Sequence, residues 1–436
     1  MGRVAPEKRD PLVWTPPQIR VASANAVTGA PIPSGVIEVD ELDAENSIGI
    51  LAYDASDPWD LEAQDLDLAG FLARHPEFRA SADEPGAAEL AGVVALEGTL
   101  SVPRSVPLVL RPGLDLTLGP RANVVAYGGL TALGTEQAPI RIHGNGVETW
   151  GIFGVVRPPK EVRLRFVEIR DGNQGQVNGI LFTGGFAVHN GDLWAEHVRV
   201  LDMQSEDGVN LKNGRIWMRD CLIANGASDA MDLDFVSGEV RDSVFFHNAG
   251  DGLDLSGATV VVAGNRFEEM GDKGISVGED SHPVIVNNLL RGNVIGISTK
   301  DLSHPRVAYT TFVDNETAIE AKRKKPMFGG ASGEFVNVVF SGNRVLLAED
   351  WFSKGQVQIS AALTDQELAA CAGCRTTAVR FQGAAADDWR LASDASGGDL
   401  SPLQREWAEV EQEIDGSLPP HPGVFRVPLA TERNGG

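Results

Sequence analysis

Apolar residues recur at a constant interval along the central third of the chain. A tripeptide with Gly or Ala in the middle and an apolar third residue begins every 22 residues, as Asp207-Gly208-Val209, Asp229-Ala230-Met231, Asp251-Gly252-Leu253, Lys273-Gly274-Ile275, Ile295-Gly296-Ile297 and Thr317-Ala318-Ile319. Trp150-Gly151-Ile152 and Asn178-Gly179-Ile180 fit the same pattern with longer intervals between them. A second apolar column at the same spacing consists of Ile223, Phe245, Phe267 and Leu289, and asparagines repeat as Asn265 with Asn287 and Asn315 with Asn337.

Between these columns apolar and polar residues alternate, as in Val209-Asn210-Leu211-Lys212. Alternation over four or five residues indicates short strands with one face inside. Several strands per 22 residues, joined by turns and without a helical stretch, predict a β-solenoid. The Leu-x-x-Leu-x-Leu frame of leucine-rich repeats is absent, and propeller blades are longer. We therefore expect one buried stack of parallel strands formed by Val209, Met231, Leu253, Ile275, Ile297 and Ile319.

Upstream segments read as short strands separated by turns, namely 108–120, 129–135 and 138–142. Together with the repeat they resemble the opening coils of the pectin-lyase-like, right-handed parallel β-helix superfamily, over roughly residues 92–350. The stretch 229–325 also resembles β-helix proteins that accompany spore-coat-type protein kinases. The resemblance implies an all-β, single right-handed parallel β-helix. It implies little about activity, because this fold carries lyases, hydrolases, epimerases and non-catalytic surface proteins.

Three regions are predicted. Residues 1–91 form an N-terminal extension and cap, since a helix-like piece around residues 65–75 can cover the open edge of the first coil. Residues 92–354 form the β-helix. Residues 355–436 are irregular, with a short helix over 364–368 and a flexible tail.

Charge and composition narrow the function classes. The chain has 37 basic and 61 acidic residues, a net charge of −24, which argues against non-specific nucleic-acid binding. No apolar run is long enough to span a bilayer, and no signal peptide is visible at the start. The lone Cys371-x-x-Cys374 pair indicates a short disulfide or two thiols rather than a zinc site. We expect a monomer outside the cell or at its surface, with a cytoplasmic protein as the alternative.

Strand alternation also predicts which polar side chains point outward. One outward column is Asn210, Asp232, Asp254, Ser276, Ser298 and Glu320, and the next is Lys212, Asp234, Ser256, Gly278, Lys300 and Lys322. Because neighbouring coils lie about 4.8 Å apart, carboxylates 22 residues apart become direct neighbours. The residues Asp229, Asp232, Asp234, Asp251 and Asp254 form what we call the aspartate cluster. Crowded carboxylates repel one another, and their oxygens are suitable ligands for Ca²⁺. The alternative is a solvent-exposed row of carboxylates whose charge is partly neutralised by Lys212, Lys273 and Lys300.

Further candidates follow on the next coils. The sequence Ser-His-Pro occurs twice at the same spacing, with His282 and His304, and a basic run covers 322–325. The histidines could be general bases or repeated turn residues. The acidic and basic patches together resemble the surroundings of a polyuronate lyase site, in which Ca²⁺ and basic residues neutralise the substrate carboxylate. This resemblance implies catalytic candidates Lys273, Lys300, Asp301, His282 and His304 and substrate-binding candidates Lys212, Lys322 and Arg323.

The motifs of other β-helix enzymes are missing. The Gly-His-Gly segment of polygalacturonase-type hydrolases and the Asp-Pro-His motif of alginate epimerases do not occur, so no catalytic residue is transferred from those families. We predict a carbohydrate-active protein, such as a Ca²⁺-assisted lyase acting on an acidic polysaccharide or cell-surface glycan. The alternative is a non-catalytic surface, adhesive or polysaccharide-binding module. A groove beside Asp232 and Asp254 lined with Lys, Arg and aromatic residues would favour the enzyme.

Overall fold

The structure is a computed structural model that describes residues 66–146, 148–368, 371–384 and 388–391. Most of the predicted N-terminal extension and the predicted flexible tail lie outside these residues. The predicted N-terminal helix is present as α1, Leu68–Arg74, and begins after Asp67, whose carboxylate accepts the Gly70 N–H at 2.8 Å. Phe71 of α1 is buried and joins the core of the first coils.

Thirty-seven short strands are present in the described residues. In chain order they are β1 Arg79–Ala80, β2 Ala88–Leu90, β3 Val93–Leu96, β4 Thr99–Val102, β5 Leu108–Leu110, β6 Asp115–Leu118, β7 Asn123–Ala126, β8 Leu130–Leu133, β9 Ile140–Gly144, β10 Phe153–Val156, β11 Val162–Arg170, β12 Gly175–Val177, β13 Ile180–Phe182, β14 Gly184–His189, β15 Leu193–Leu201, β16 Asp207–Arg219, β17 Leu222–Ala224, β18 Asp229–Arg241, β19 Val244–Phe246, β20 Leu253–Ser256, β21 Thr259–Ala263, β22 Arg266–Glu268, β23 Lys273–Gly278, β24 Val284–Val286, β25 Leu289–Arg291, β26 Ile295–Lys300, β27 Arg306–Ala308, β28 Thr311–Val313, β29 Thr317–Lys322, β30 Gly333–Val336, β31 Val339–Ser341, β32 Val345–Glu349, β33 Val357–Ser360, β34 Leu363–Thr364, β35 Arg375–Thr376, β36 Phe381–Gly383 and β37 Asp388–Leu391.

Apart from the antiparallel strand β1 and the antiparallel hairpins β12–β13 and β36–β37, the strands stack into three parallel sheets that wind as a right-handed β-helix. Sheet 1 contains β4, β7, β10, β14, the first half of β16 and of β18, β20, β23, β26, β29 and β32. After each sheet 1 strand the chain enters sheet 2, which includes β21, β24, β27, β30 and β33, and then sheet 3, which includes β22, β25, β28, β31 and β34. The long β16 and β18 run from sheet 1 into sheet 2 without a break. The predicted all-β parallel solenoid is therefore confirmed.

The predicted inner stack of sheet 1 is also confirmed. Val209 pairs with Met231, and the register continues unbroken through Leu253, Ile275, Ile297 and Ile319. All six side chains are buried. Burying an aliphatic side chain of this size stabilises a fold by about 1.5–3 kcal/mol, so the stack is a main source of cohesion between coils.

Both earlier members assigned to the tripeptide series are wrong. Phe153, not Ile152, is the inner residue, and it pairs with Phe186, which lies 33 residues further along the chain. The longer coil contains the antiparallel hairpin β12–β13, whose turn is Asn178-Gly179 with φ values of 50° and 72°. Asn-Gly at positive φ is the preferred two-residue hairpin turn. Asn178-Gly179 therefore connects the two strands of a hairpin, and the tripeptide does not start a coil.

The second apolar column shifts by one residue at its last member. Phe267 pairs with Leu290 rather than with Leu289. The turn after β23 holds one more residue than the equivalent turn after β20 on the preceding coil, and Glu279 and Asp280 both adopt positive φ there. One residue fewer before Ile297 restores the 22-residue spacing in sheet 1. The insertion and the deletion cancel within one coil, so the 22-residue spacing of the sheet 1 column does not reveal them.

The predicted asparagine ladder exists with different members. Asn315 accepts hydrogen bonds from the backbone N–H and the side-chain amide of Asn293, both at 3.0 Å, and donates to Asn343 Oδ1 at 2.9 Å and to the Leu290 carbonyl at 2.9 Å. Asn265 bonds to Asn288 and not to Asn287, because of the same one-residue insertion. Buried amides that satisfy one another and the turn backbone link successive coils.

The C-terminal part of the described chain differs in one detail from the prediction. Residues 364–368 do not form a helix: Thr364 ends β34 and its hydroxyl accepts the Gln366 N–H at 3.1 Å. Cys371 and Cys374 are disulfide-bonded, which is one of the two predicted states. The hairpin β36–β37 packs Phe381 and Trp389 against Leu289 and Val313 on the outside of sheet 3. No helix in the described ranges is long and apolar enough to cross a membrane.

Candidate functional site

The outer face of sheet 1 changes character along the solenoid axis. On the early coils it is apolar, and the hairpin β12–β13 covers it by packing Val177 and Phe182 against Val125, Ile152 and Ala187. From β16 onward the outer face is polar and carries the aspartate cluster. The hairpin therefore marks the boundary at which the candidate site begins.

The two outward columns follow the predicted register. Asn210 pairs with Asp232, Asp232 with Asp254, and Asp254 with Ser276. The prediction that the whole column faces solvent is wrong, because Asn210, Ser276 and Ser298 are fully buried. Longer neighbours cover these small side chains: Asn210 donates to Asp232 Oδ2 at 2.9 Å, and Ser298 donates to Glu320 Oε2 at 2.7 Å.

The first tripeptide position holds carboxylates that bond to the next coil. Asp229 Oδ1 accepts the Asp251 N–H at 2.7 Å, and Asp251 Oδ1 accepts the Lys273 N–H at 3.0 Å. These bonds orient the side chains of Asp229 and Asp251 toward Asp254. One carboxylate oxygen from each of Asp229, Asp251 and Asp254 lies within 4.8 Å of the other two.

Asp254 is the least satisfied member of the cluster. Its Oδ1 atom is buried and accepts no hydrogen bond from any described residue. The Lys300 ammonium lies 3.7 Å from this oxygen and is directed instead to the Ser276 hydroxyl, at 2.6 Å. A buried carboxylate oxygen without a donor is costly, so this position favours a ligand that brings positive charge.

Three lysines offset only part of the negative charge. Lys212 Nζ lies 3.1 Å from Asp234 Oδ2, and Lys273 Nζ lies 3.0 Å from Asp251 Oδ1. Burial acts to lower the pKa of Lys273, but the charges of Asp251 and Asp272 outweigh it and raise the pKa. Lys273 is thus held as an ammonium that neutralises Asp251.

Burial and mutual repulsion raise the pKa values of two aspartates of the cluster. Burial, followed by the charges of Asp207, Asp234 and Asp254, raises the pKa of Asp232 to about 9. Burial and the Asp251 charge likewise raise the pKa of Asp229 to about 7. Burial and the repulsion between neighbouring carboxylates thus favour the protonated forms of Asp229 and Asp232.

The structure does not join the two histidines to this cluster. His282 Nε2 lies 3.2 Å from Asp280 Oδ1 on an exposed turn. His304 Nδ1 lies 2.8 Å from Ser332 Oγ, and its Nε2 lies 3.8 Å from Glu334 on sheet 2. Both rings therefore bond to groups of the turn between sheets 1 and 2.

The other candidates border the loop 323–332, which follows β29. Asp301 is buried, and its Oδ1 atom accepts the backbone N–H groups of Lys324 and Lys325 at 2.7 and 2.8 Å. Lys322 pairs with Glu320 at 2.8 Å, and the Arg323 guanidinium lies 3.4 Å above the Phe352 ring. Asp301 thus holds the loop in place, and the loop carries the basic side chains.

Sequence reasoning missed several residues at the site. His189 occupies the outward column beside Lys212, stacks on Phe182 and lies 3.1 Å from Asn210 Oδ1. It lies 23 residues before Lys212, one more than the 22-residue repeat, so a search at the repeat spacing does not find it. Glu279 accepts from Ser256 Oγ at 2.6 Å and pairs with Lys325. Phe235, next to Asp234, is an exposed aromatic residue at positive φ.

Comparisons with known proteins agree with the fold. Residues 201–362 match the family model described as right handed beta helix region. No curated protein matches the sequence significantly. The matched segment lies within the parallel β-helix that the structure shows, so the predicted fold resemblance is confirmed, whereas the association with protein kinases stays a prediction.

Among solved structures, three similar chains act on polysaccharides according to their names. An alginate lyase from Paenibacillus sp. shares 13% identity over 61% of this chain and 92% of its own, with a TM-score of 0.32. The A-module of a mannuronan C-5 epimerase from Azotobacter vinelandii shares 12% identity over 66% and 94%, with a TM-score of 0.39. A GH87 α-1,3-glucanase from Streptomyces thermodiastaticus shares 15% identity over 67% and 62%, with a TM-score of 0.34. Likeness at this level assigns no activity to the present chain.

Proposed function

We propose that the protein acts on an acidic polysaccharide by Ca²⁺-assisted β-elimination on the outer face of sheet 1. The observation that carries this proposal is the aspartate cluster, in which the oxygens of Asp229, Asp251 and Asp254 converge within 4.8 Å and Asp254 Oδ1 lacks a donor. The substrate class places the protein outside the cell or at its surface. A monomer suffices, because one chain supplies every side chain of the cluster.

The cluster suits Ca²⁺ on chemical grounds. Hard carboxylate oxygens are the ligands that Ca²⁺ prefers, and burial together with neighbouring carboxylates raises the pKa values of Asp229 and Asp232. Asp229, Asp251 and Asp254 would hold the ion, with Asp232 and Asp234 alongside. When bound, the ion would neutralise the substrate carboxylate and acidify the adjacent C–H bond.

Lys300 is the residue that we assign to proton abstraction. Its side-chain nitrogen lies 2.6 Å from the Ser276 hydroxyl and 3.7 Å from Asp254 Oδ1, beside the carboxylates that would hold the ion. The amine takes the proton next to the substrate carboxylate, the C–H electron pair forms the double bond, and the glycosidic oxygen leaves and takes a proton from water. Lys300 is only 1% exposed, so this proposal requires the side chains that cover it to move before substrate reaches the amine.

The remaining basic residues bind substrate in this proposal. Lys212, Lys322 and Arg323 flank the cluster on either side along the axis and offer positive charge to further carboxylates of the polymer. Lys273 neutralises Asp251, and Asp301 positions the loop 323–332. We assign no step to His282 or His304, because both bond to groups of the neighbouring turn.

The test is an assay for unsaturated products. The protein is incubated with alginate, polygalacturonate and neutral dextran, with Ca²⁺ or with chelator, and the ultraviolet absorbance of the new double bond is followed. We expect activity on an acidic polymer with Ca²⁺, and its loss in Asp254→Asn and in Lys300→Met. Asp220→Asn and Lys160→Met are the matched controls, since each removes the same charge from an exposed residue elsewhere.

A second outcome identifies the alternative function. Binding of an acidic polymer without product, at any Ca²⁺ concentration, would identify a non-catalytic polysaccharide-binding module and overturn the lyase. Equal activity with Ca²⁺ and with chelator would show that the reaction does not require Ca²⁺.

A further inference from the structure

An exposed aromatic residue lies at the end of the outer face of sheet 1. Trp351 is 85% exposed and is the second residue of the loop 350–356, which follows β32. Its neighbour Phe352 is 49% exposed. Met327, on the loop 323–332, is 83% exposed. Large apolar side chains that are exposed on a surface are costly to leave in water and often mark a binding site.

The two loops are firmly joined, so Trp351 is presented on an ordered turn. Asp350 Oδ1 accepts the N–H groups of Phe352 and Ser353 at 3.0 and 2.8 Å, and its Oδ2 accepts the Arg323 N–H at 2.9 Å. The buried Ser353 hydroxyl accepts the Ala331 N–H at 2.9 Å. Because these bonds fix the backbone that carries Trp351, little loop entropy is lost when a ligand binds.

The same loops concentrate positive charge in a chain with a net charge of −24. Five cations occupy them or end the preceding strand, namely Lys322, Arg323, Lys324, Lys325 and Lys354. Lys325 reaches back to Glu279, and the charges of Glu279, Asp301 and Asp254 raise its pKa. The basic loops are therefore continuous with the aspartate cluster.

We propose that these two loops form a distal subsite for a sugar residue of an acidic polysaccharide. The Trp351 indole stacks on the apolar face of the sugar ring, and Lys324 and Lys354 bind its carboxylate. β32 lies four coils beyond β20, which at about 4.8 Å per coil separates the subsite from Asp254 by about 19 Å. A polymer of several sugars, rather than a monosaccharide, spans both places. The polymer class rests on the proposed function, but the subsite requires no catalytic step.

The experiment measures binding, separately from turnover. Affinity for polygalacturonate and alginate is determined by calorimetry in the Asp254→Asn background, with dextran as the neutral polymer. We expect Trp351→Ala to weaken binding roughly tenfold, as an exposed aromatic anchor does, and Trp351→Phe to restore part of it. Lys354→Gln should weaken binding severalfold, whereas Lys160→Gln, which removes another exposed lysine elsewhere, should not.

Several results would overturn this subsite. Unchanged affinity in Trp351→Ala removes it, and a lower melting temperature of that variant shows that the indole is structural. Trp351-dependent binding to phosphatidylserine vesicles, with none to either polymer, identifies a membrane contact instead. Trp351-dependent polymer binding in a protein without lyase activity would uphold the subsite while the proposed reaction fails.

Discussion

The Asp229 carboxylate accepts the backbone N–H of Asp251, one coil further on, at 2.7 Å. Asp251 repeats the arrangement with the N–H of Lys273 at 3.0 Å and also bonds the Lys273 ammonium. Each of these two aspartates thus uses its Oδ1 atom to join two coils. Asp229 and Asp251 therefore link neighbouring coils, and substitution at these two positions should cost stability.

Replacing Asp251 tests the structural part. Asp251→Leu leaves the buried Lys273 ammonium with only the half-exposed Asp272, and we expect the free energy of unfolding to fall by about 3 kcal/mol. The double variant Asp251→Leu with Lys273→Met should recover most of the loss, because no buried charge remains. Urea denaturation measures both. Equal losses in the two variants would show that the ion pair is not the cause.

The asparagine ladder offers a second test. Asn315→Ala deprives buried groups of Asn293, Asn343 and Leu290 of their partners, so we expect a loss of about 3 kcal/mol in unfolding free energy. Chemical denaturation checks the value. A loss under about 0.5 kcal/mol, typical of surface positions, would argue that the ladder contributes little.

Gly274 lies in a crowded position behind the inner stack, so a larger residue there should lower the stability of the protein. A Cβ at Gly274 would lie 2.7 Å from Leu290 Cδ2 and 2.8 Å from the Gly296 carbonyl oxygen. We expect Gly274→Ala to lower stability by about 1–3 kcal/mol through overpacking. Gly175→Ala is the control, because its Cβ would meet nothing closer than 3.4 Å. Equal melting temperatures for the two variants would contradict the crowding.

Asp207 gives a prediction for pH dependence. Burial, with the charges of Glu206 and Asp234, raises its pKa to about 7, against about 3.9 in an unfolded chain. Between these values the folded protein keeps a proton that the unfolded chain releases, so this group makes stability fall as pH rises from about 4 to about 7. Asp207→Asn lacks that dependence. In chelator, its unfolding free energy relative to wild type should rise across this range, whereas a parallel profile would refute the shift.

Calcium should stabilise the folded protein if the cluster binds it. At a hundredfold excess over Kd the gain is about 2.7 kcal/mol, seen as a higher melting temperature that chelation reverses. Asp254→Asn should abolish the shift, and Asp220→Asn, which removes an exposed carboxylate elsewhere, should keep it. No shift and no heat of binding at millimolar Ca²⁺ would leave Lys212, Lys273 and Lys300 as the neutralising groups.

Much of the site was predictable because strand alternation is local. Once Val209 and Met231 were placed inside, Asn210 and Asp232 had to point outward on adjacent coils, and the structure pairs them. Burial was not predictable in the same way. Ser276 points outward yet is covered, since the long Lys300 side chain from the next coil reaches over it.

The sequence alone determined the solenoid, its inner stack and the gathering of five aspartates, because an apolar period of two within a 22-residue repeat leaves one way to bury the apolar face. Only the tertiary structure decided the shift from Leu289 to Leu290, the closure of the early coils by the hairpin β12–β13, and the meeting of Lys325 with Glu279. These depend on insertions and on loops that fold back across coils. Their contacts join residues far apart in sequence, and no local pattern records them.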